Sequence, residues 1–190
     1  LIVIVICIGL VIRTCKGPDV YSKEQLQRLE SNAAFSAQDV ASFLGDRTEV
    51  LLLHLEVPGS KGLTEYKDVF KKILTASGKN IIGEEAFKPA VEGQFFNPLG
   101  WSYSIEELEE ILGRHAEPEV IVSLVGTPVF DPVTVRTLEG NCPPIVIGFS
   151  PNPRPDMGPW LDSGILEGVI IRHRLDPDAN PQEPRAKYDN

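Results

Sequence analysis

The sequence predicts an α/β domain: a five-stranded, mostly parallel sheet in the order 2-1-3-4-5, with helices on both faces, preceded by an N-terminal transmembrane helix. Three observations predict it. Residues 119–126 (EVIVSLVG) are a short run rich in β-branched residues that breaks at Thr127-Pro128, the pattern of a strand buried on both sheet faces. Four further segments share that character or occupy matching places in a series that alternates with helical patterns. Strands fed by helices need right-handed crossovers, and so a parallel sheet. Ahead of the series stands LIVIVICIGLVI, residues 1–12, an apolar run without a charge.

That opening run would extend about 18 Å as a helix, short of a hydrocarbon core of roughly 30 Å, so it reads as the latter part of a longer span. A signal-peptide core and a buried strand are the alternatives. Twelve unbroken apolar residues are long for a strand, and Arg13-Thr14 ahead of Cys15 depart from the small residues of a cleavage site. Arg13 and Lys16 on its flank favour a cytoplasmic body by the positive-inside rule. Residues 13–48 read as a juxtamembrane helical linker holding two short helices. Ser22 with Gln25 forms a capping box for the first, Ser36 caps the second, and Gly45 stops it.

The α/β domain proper spans residues 49–175. Its first strand is EVLLLHLEV (49–57), closed by Pro58-Gly59. A helix over 64–77 carries Tyr66, Val69, Phe70, Ile73 and Leu74 on one stripe and ends at Gly78. A second strand covers 80–83. Residues 87–103 are irregular, with prolines, glycines and the aromatics Phe95, Phe96, Trp101 and Tyr103. Ser104 and Glu107 form a capping box that opens a helix with Ile105, Leu108, Ile111 and Leu112 inward. The central strand follows, then a short helix near 131–138, a fourth strand over 144–150 (PIVIGFS), a helical turn over 159–163 and a fifth strand over 166–172 (LEGVIIR). Residues 176–190 form a Pro-rich polar tail without a core.

A formal net charge of −9 and a pI near 4.9 exclude nucleic acid as a partner, because neutralising phosphates demands clustered Lys and Arg. The three cysteines, Cys7, Cys15 and Cys142, lack C-x-x-C spacing, which removes thioredoxin chemistry, c-type haem and a thiolate zinc site. Cys15 and Cys142 can pair only in an oxidising compartment.

Ligands of open α/β sheets sit at the carboxyl ends of the strands, near the reversal of strand order. The rim so defined comprises His54, Glu56, Ser60, Glu84, Thr127, Ser150 and Asn152. The turn at 58–62 (PGSKG) matches neither glycine-rich phosphate signature, so no nucleotide is expected. Ser150 resembles the start of a nucleophile elbow, but Pro151 has no N–H to stabilise an oxyanion, which leaves it a turn residue. His54 and Glu56 share a strand face and, with Glu84 or Glu85, form a conceivable divalent-metal set. A histidine satisfied by hydrogen bonds at a strand end is the preferred account. No cofactor and no catalytic group are expected. Phe95, Phe96, Trp101 and Tyr103 are candidate contacts for a protein partner.

Thr64-Glu65-Tyr66 with Phe70, IIGEEAF (81–87), IVSLVG (121–126) and LDSGILEGV (161–169) give residues 49–174 a pattern that resembles one lobe of the type I periplasmic sugar-binding proteins. The resemblance implies their fold and an extracytoplasmic setting. It departs from the family in length, since those proteins close two lobes over a ligand. Together these readings predict a single-pass membrane protein with its soluble domain on the periplasmic side. The leading expectation is a non-catalytic accessory subunit of a larger membrane complex, anchored in the bilayer by its N-terminal helix. The alternative is a binding module for a small sugar-like molecule.

Overall fold

The computed structural model describes residues 21–57, 59–87, 103–115, 117–125, 142–150 and 161–171. Five strands, β1 (Glu49–Leu55), β2 (Asn80–Phe87), β3 (Val120–Ser123), β4 (Ile145–Ser150) and β5 (Leu166–Ile171), form one sheet in the order β2-β1-β3-β4-β5. Every neighbouring pair is parallel. The predicted strand order is thus observed. Three helices flank the sheet: α1 (Lys23–Leu44), α2 (Lys61–Ala76) and α3 (Ile105–Arg114).

The alternation of β1 divides the core into two layers. Val50 and Leu52 face one side, where they pack with Ala33, Val40 and Leu44 of α1 and with Tyr66, Phe70 and Leu74 of α2. Leu51 and Leu53 face the other, with Leu108 and Ile111 of α3, Tyr103, Ile121 and Ile147. Residues 50–53 are all fully buried. A continuous apolar run is therefore what a central parallel strand requires, since either face left polar would lose about 1.5–3 kcal/mol per side chain.

α1 replaces the two short helices expected before the sheet. Ser36, read as the cap of a second helix, is buried in the interior of one 22-residue helix. No glycine or proline interrupts residues 23–44, and a hydroxyl alone does not stop a helix whose next turn is packed. Ala33, Ala37, Val40 and Leu44 fall at helical spacing, and both alanines are fully buried, which lets the helix lie close on the sheet. The segment expected to link a membrane span to the body thus supplies, over its described residues, part of the body's core. The capping boxes at Ser22 and Ser104 form as read.

β2 runs past Gly83 to Phe87, further than the sequence suggested. Two consecutive glutamates argue against a strand unless each is neutralised, and here each meets cations on a different helix (below). At the amino ends of the strands, the Glu119 carboxylate accepts the Glu49 N–H at 3.0 Å and also that of Thr48. Lys79 Nζ, buried nearby, donates to the carbonyls of Gly45 and, at 2.8 Å, Arg47. This end of the sheet is closed by structural hydrogen bonds.

Among the described residues no helix is long and apolar enough to cross a membrane. The expected span at 1–12, the helix near 131–138 and the tail lie outside them.

Candidate functional site

In this strand order the chain leaves β1 toward β2 and leaves β3 toward β4, in opposite directions, so a crevice opens between the carboxyl ends of β1 and β3. A cavity of about 70 Å³ lies there. His54 and Leu55 come from the end of β1, and Leu124 follows β3. Gly62, Leu63, Tyr66 and Lys67 come from the first two turns of α2, while Tyr21 and Leu29 close the remaining side. The wall is mostly aliphatic and aromatic. The Tyr21 ring lies over Gly62 so closely that a Cβ there would stand 2.6 Å from ring carbons.

His54 is 7 % exposed. Its Nε2 stands 3.0 Å from Glu84 Oε1, which Lys67 Nζ also approaches at 3.3 Å. Lys71 Nζ pairs with the other oxygen, Oε2. Partial burial alone would raise the Glu84 carboxyl, but hydrogen bonds from Lys71 and Lys67 outweigh it and hold the group below its ordinary range. Burial would likewise lower Lys67, and its bonds to Glu84 and Asp68 reverse that and raise it. The cluster is thus a fixed carboxylate with two ammonium groups and one imidazole. Nδ1 of His54 is buried and has no hydrogen-bond partner among the described residues.

Glu85 builds a second cluster on the opposite face. Arg114 Nη2 is 3.1 Å from its Oε2, and His115 Nε2 is 2.8 Å from its Oε1. The hydrogen bond from Arg114 holds this carboxyl below its usual range. Its cations come from the last turn and cap of α3, where positive charge suits the helix dipole. This cluster fastens β2 to α3.

The structure brings together only part of the rim read from sequence. His54 and Glu84 meet. Ser60 is buried as the N-cap of α2, its side chain making no capping bond while its carbonyl accepts the Thr64 N–H at 3.2 Å. Glu56 lies just beyond β1, exposed, with its N–H donating to the Phe87 carbonyl at 2.8 Å. Ser150 ends β4, two strands from His54. Thr127 and Asn152 lie outside the described residues, as do Phe95, Phe96 and Trp101. Tyr103 does not serve as an exposed contact: it is 1 % exposed and stacks on Phe87 at 4.9 Å between ring centroids. Burial pushes its phenol up, and the nearby Ser123 side chain offsets this only in part.

Among the described residues no three His, Cys, Asp or Glu side chains gather to hold a metal ion. Glu56 does not join His54 and Glu84, and the Glu84 oxygens are engaged by lysines. Cys142 is a free thiol, and Cys15 lies outside the described residues. Sequence reasoning missed Lys67, Lys71 and Leu124. The two lysines stand one turn apart on α2, and that i, i+4 spacing beside a strand carboxylate was the available signal.

No known protein family matches the chain, and no curated protein does. Solved structures similar to this chain include two at low identity. A solute-binding protein of an ABC transporter from Burkholderia graminis C4D1M, in complex with D-arabinose, matches at TM-score 0.46 and 16% identity over 74% of this chain and 46% of that one. A periplasmic ribose ABC transporter structure from Conexibacter woesei DSM 14684 matches at TM-score 0.44 and 16% identity, over 73% of this chain and 43% of that one. The chain spans less than half the length of either.

Proposed function

We propose that the chain is a non-catalytic binding module that takes a small sugar-like molecule in the crevice between β1 and β3, on an extracytoplasmic face. The observation that carries this reading is the cavity itself. It lies where the strand order reverses and is walled by Leu55, Leu63, Leu124 and the rings of Tyr21 and Tyr66. A buried imidazole with an unpaired nitrogen is its polar anchor. A ligand there gains apolar contact over one face and a hydrogen bond at one edge, which is how a sugar ring is held. The non-catalytic part of the reading is supported by His54 being engaged by Glu84, whose carboxylate two lysines also hold.

Pentoses are the first probes, because the resemblance of residues 49–174 is to sugar-binding lobes. Titrating the full chain with D-ribose and D-arabinose is expected to shift the methyl NMR signals of Leu55, Leu63 and Leu124. No shift up to about 10 mM, where a millimolar site is mostly filled, refutes the reading. So do shifts confined to other regions.

The reading as a membrane-anchored accessory subunit draws no support from the described residues. Its anchor and three of its four contact aromatics lie outside them, and the fourth, Tyr103, is buried.

A further inference from the structure

The lone pair of the His54 imidazole is the part of the crevice that can discriminate between ligands of one size. Nε2 lies 3.0 Å from Glu84 Oε1. The bonds from Lys71 and Lys67 keep Glu84 ionised, and an ionised carboxylate only accepts. The proton of the neutral ring must therefore sit on Nε2, and Nδ1 is left as an acceptor. That acceptor is buried without a partner. His54 is 7 % exposed and lines the cavity, so the cavity is a side from which a ligand can approach its ring.

We propose that Glu84 fixes His54 in the Nε2–H form, so that the crevice selects a ligand that donates a hydroxyl hydrogen bond to Nδ1 from an otherwise apolar ring face. The inference rests on the binding-module reading and names the chemistry of its ligand. An unpaired buried acceptor is costly, and a hydroxyl relieves it. A carbonyl or ether oxygen in the same place sets two acceptors against each other. Leu29, Leu55, Leu63 and Leu124 offer nothing polar to such a group. The other polar groups of the wall are the hydroxyls of Tyr21 and Tyr66, which the His54→Phe variant keeps, and the Lys67 ammonium, which is committed to Glu84 at 3.3 Å and Asp68 at 3.5 Å. Glu84 is then a positioning residue, and His54 is the one that touches the ligand.

The test has two measurements on the full chain. Imidazole ¹⁵N shifts of the wild type report the tautomer without any ligand: protonated Nε2 with bare Nδ1 is expected, and an Nδ1–H ring overturns the proposal. Cyclopentanol and cyclopentanone, matched in size and opposite in hydrogen-bonding sense, are then titrated while the methyls of Leu55 and Leu124 are followed. The alcohol is expected to bind about tenfold tighter, the factor equal to about 1.4 kcal/mol. Equal binding overturns the proposal. The preference should vanish in His54→Phe, which keeps a ring, and shrink in Glu84→Gln, which keeps the histidine but releases its tautomer; a preference retained in both overturns it. Pentose binding in the crevice that His54→Phe leaves unchanged sinks this proposal but not the binding-module reading. Selective cyclopentanol binding without pentose binding does the reverse. If neither probe binds, both fall.

Discussion

Replacing Gly83 with alanine tests how tightly β2 is held between its two helices. Gly83 is not one of the glycines at positive φ, so its missing side chain answers a need for space and not for an unusual backbone. A Cβ there would stand 2.4 Å from Nδ1 of His115, 2.7 Å from its Cε1 and 2.9 Å from Cδ1 of Leu51. The imidazole is held by Glu85 at 2.8 Å, and Leu51 is fully buried. Expelling the ring loses a partly buried ion pair, about 0.5–1 kcal/mol. Shifting Leu51 in a packed layer costs about 1–3 kcal/mol. The intrinsic gain of alanine over glycine in a strand returns roughly 0.5–1 kcal/mol. The net expectation is a loss of about 2 kcal/mol, read as a lower urea midpoint and a Tm lowered by roughly 4–8 °C for a chain of this size. Since His115 supplies the closest atoms, Gly83→Ala combined with His115→Ala should cost less than the two separate losses added. A stability within about 0.5 kcal/mol of wild type for Gly83→Ala would refute the reasoning. Strict additivity would as well.

Phe70→Ala empties the centre of the layer beneath α1 and α2, where Phe70 is fully buried, and should cost about 3–5 kcal/mol in urea unfolding; a loss below about 1 kcal/mol would show that layer to be loosely packed. Ser104→Ala removes the side chain that accepts the Glu107 N–H at 3.2 Å and should lower stability by about 1 kcal/mol, whereas Ser104→Asp should restore it. Glu84 and Glu85 are depressed in the folded state, so the stability they contribute is present above their ordinary value of 4.5 and is lost as pH falls through the folded values. The urea midpoint should fall below about pH 4.5 and fall less in Glu84→Gln, and a midpoint that holds or rises on acidification contradicts the sign. Burial pushes the Cys142 thiol up from 9.0 to about 11, so its alkylation at pH 8, mapped by mass, should be roughly 100-fold slower in the folded chain than in urea. Comparable rates would refute that burial.

What could be read from the sequence follows from which forces are local. The buried strands at 50–53 and 120–123 were legible because a strand covered on both faces is almost wholly apolar. Strand order followed from the helical crossovers, which the capping boxes and the stripe of Tyr66, Phe70 and Leu74 mark without reference to distant residues. The continuity of α1 was not legible. Whether Ser36 begins a helix or sits inside one depends on a sheet that buries Ala33 and Ala37 on either side of it. The length of β2 was missed for the same reason, as Glu84 and Glu85 look like a strand's end until their cations arrive from α2 and α3. The place of His54 at the carboxyl end of β1 was legible, since the run 50–55 fixes where that strand ends. Tyr103 was misjudged because exposure of an aromatic in an irregular stretch is set by a tertiary contact, here with Phe87.

The pairing of β1 with β2 shows why the site itself could be anticipated only in outline. Adjacent glutamates in a strand must face opposite ways, but which one faces which helix depends on register. Val50 pairs with Ile81 and Leu51 with Gly83, so Ile82 is passed over and every later residue of β2 is turned to the other face. Glu84 therefore lies beside Leu52 on the side of α2, within reach of His54, Lys67 and Lys71, and Glu85 lies beside Leu53 on the side of α3. Uninterrupted pairing would exchange the two carboxylates. It would also put a residue other than glycine in the narrow place beneath His115 and Leu51. The passed-over residue, the missing side chain at 83 and the two carboxylates thus form one arrangement. It anchors an edge strand from both faces, and on one of them it leaves a carboxylate where it can orient the imidazole in the crevice.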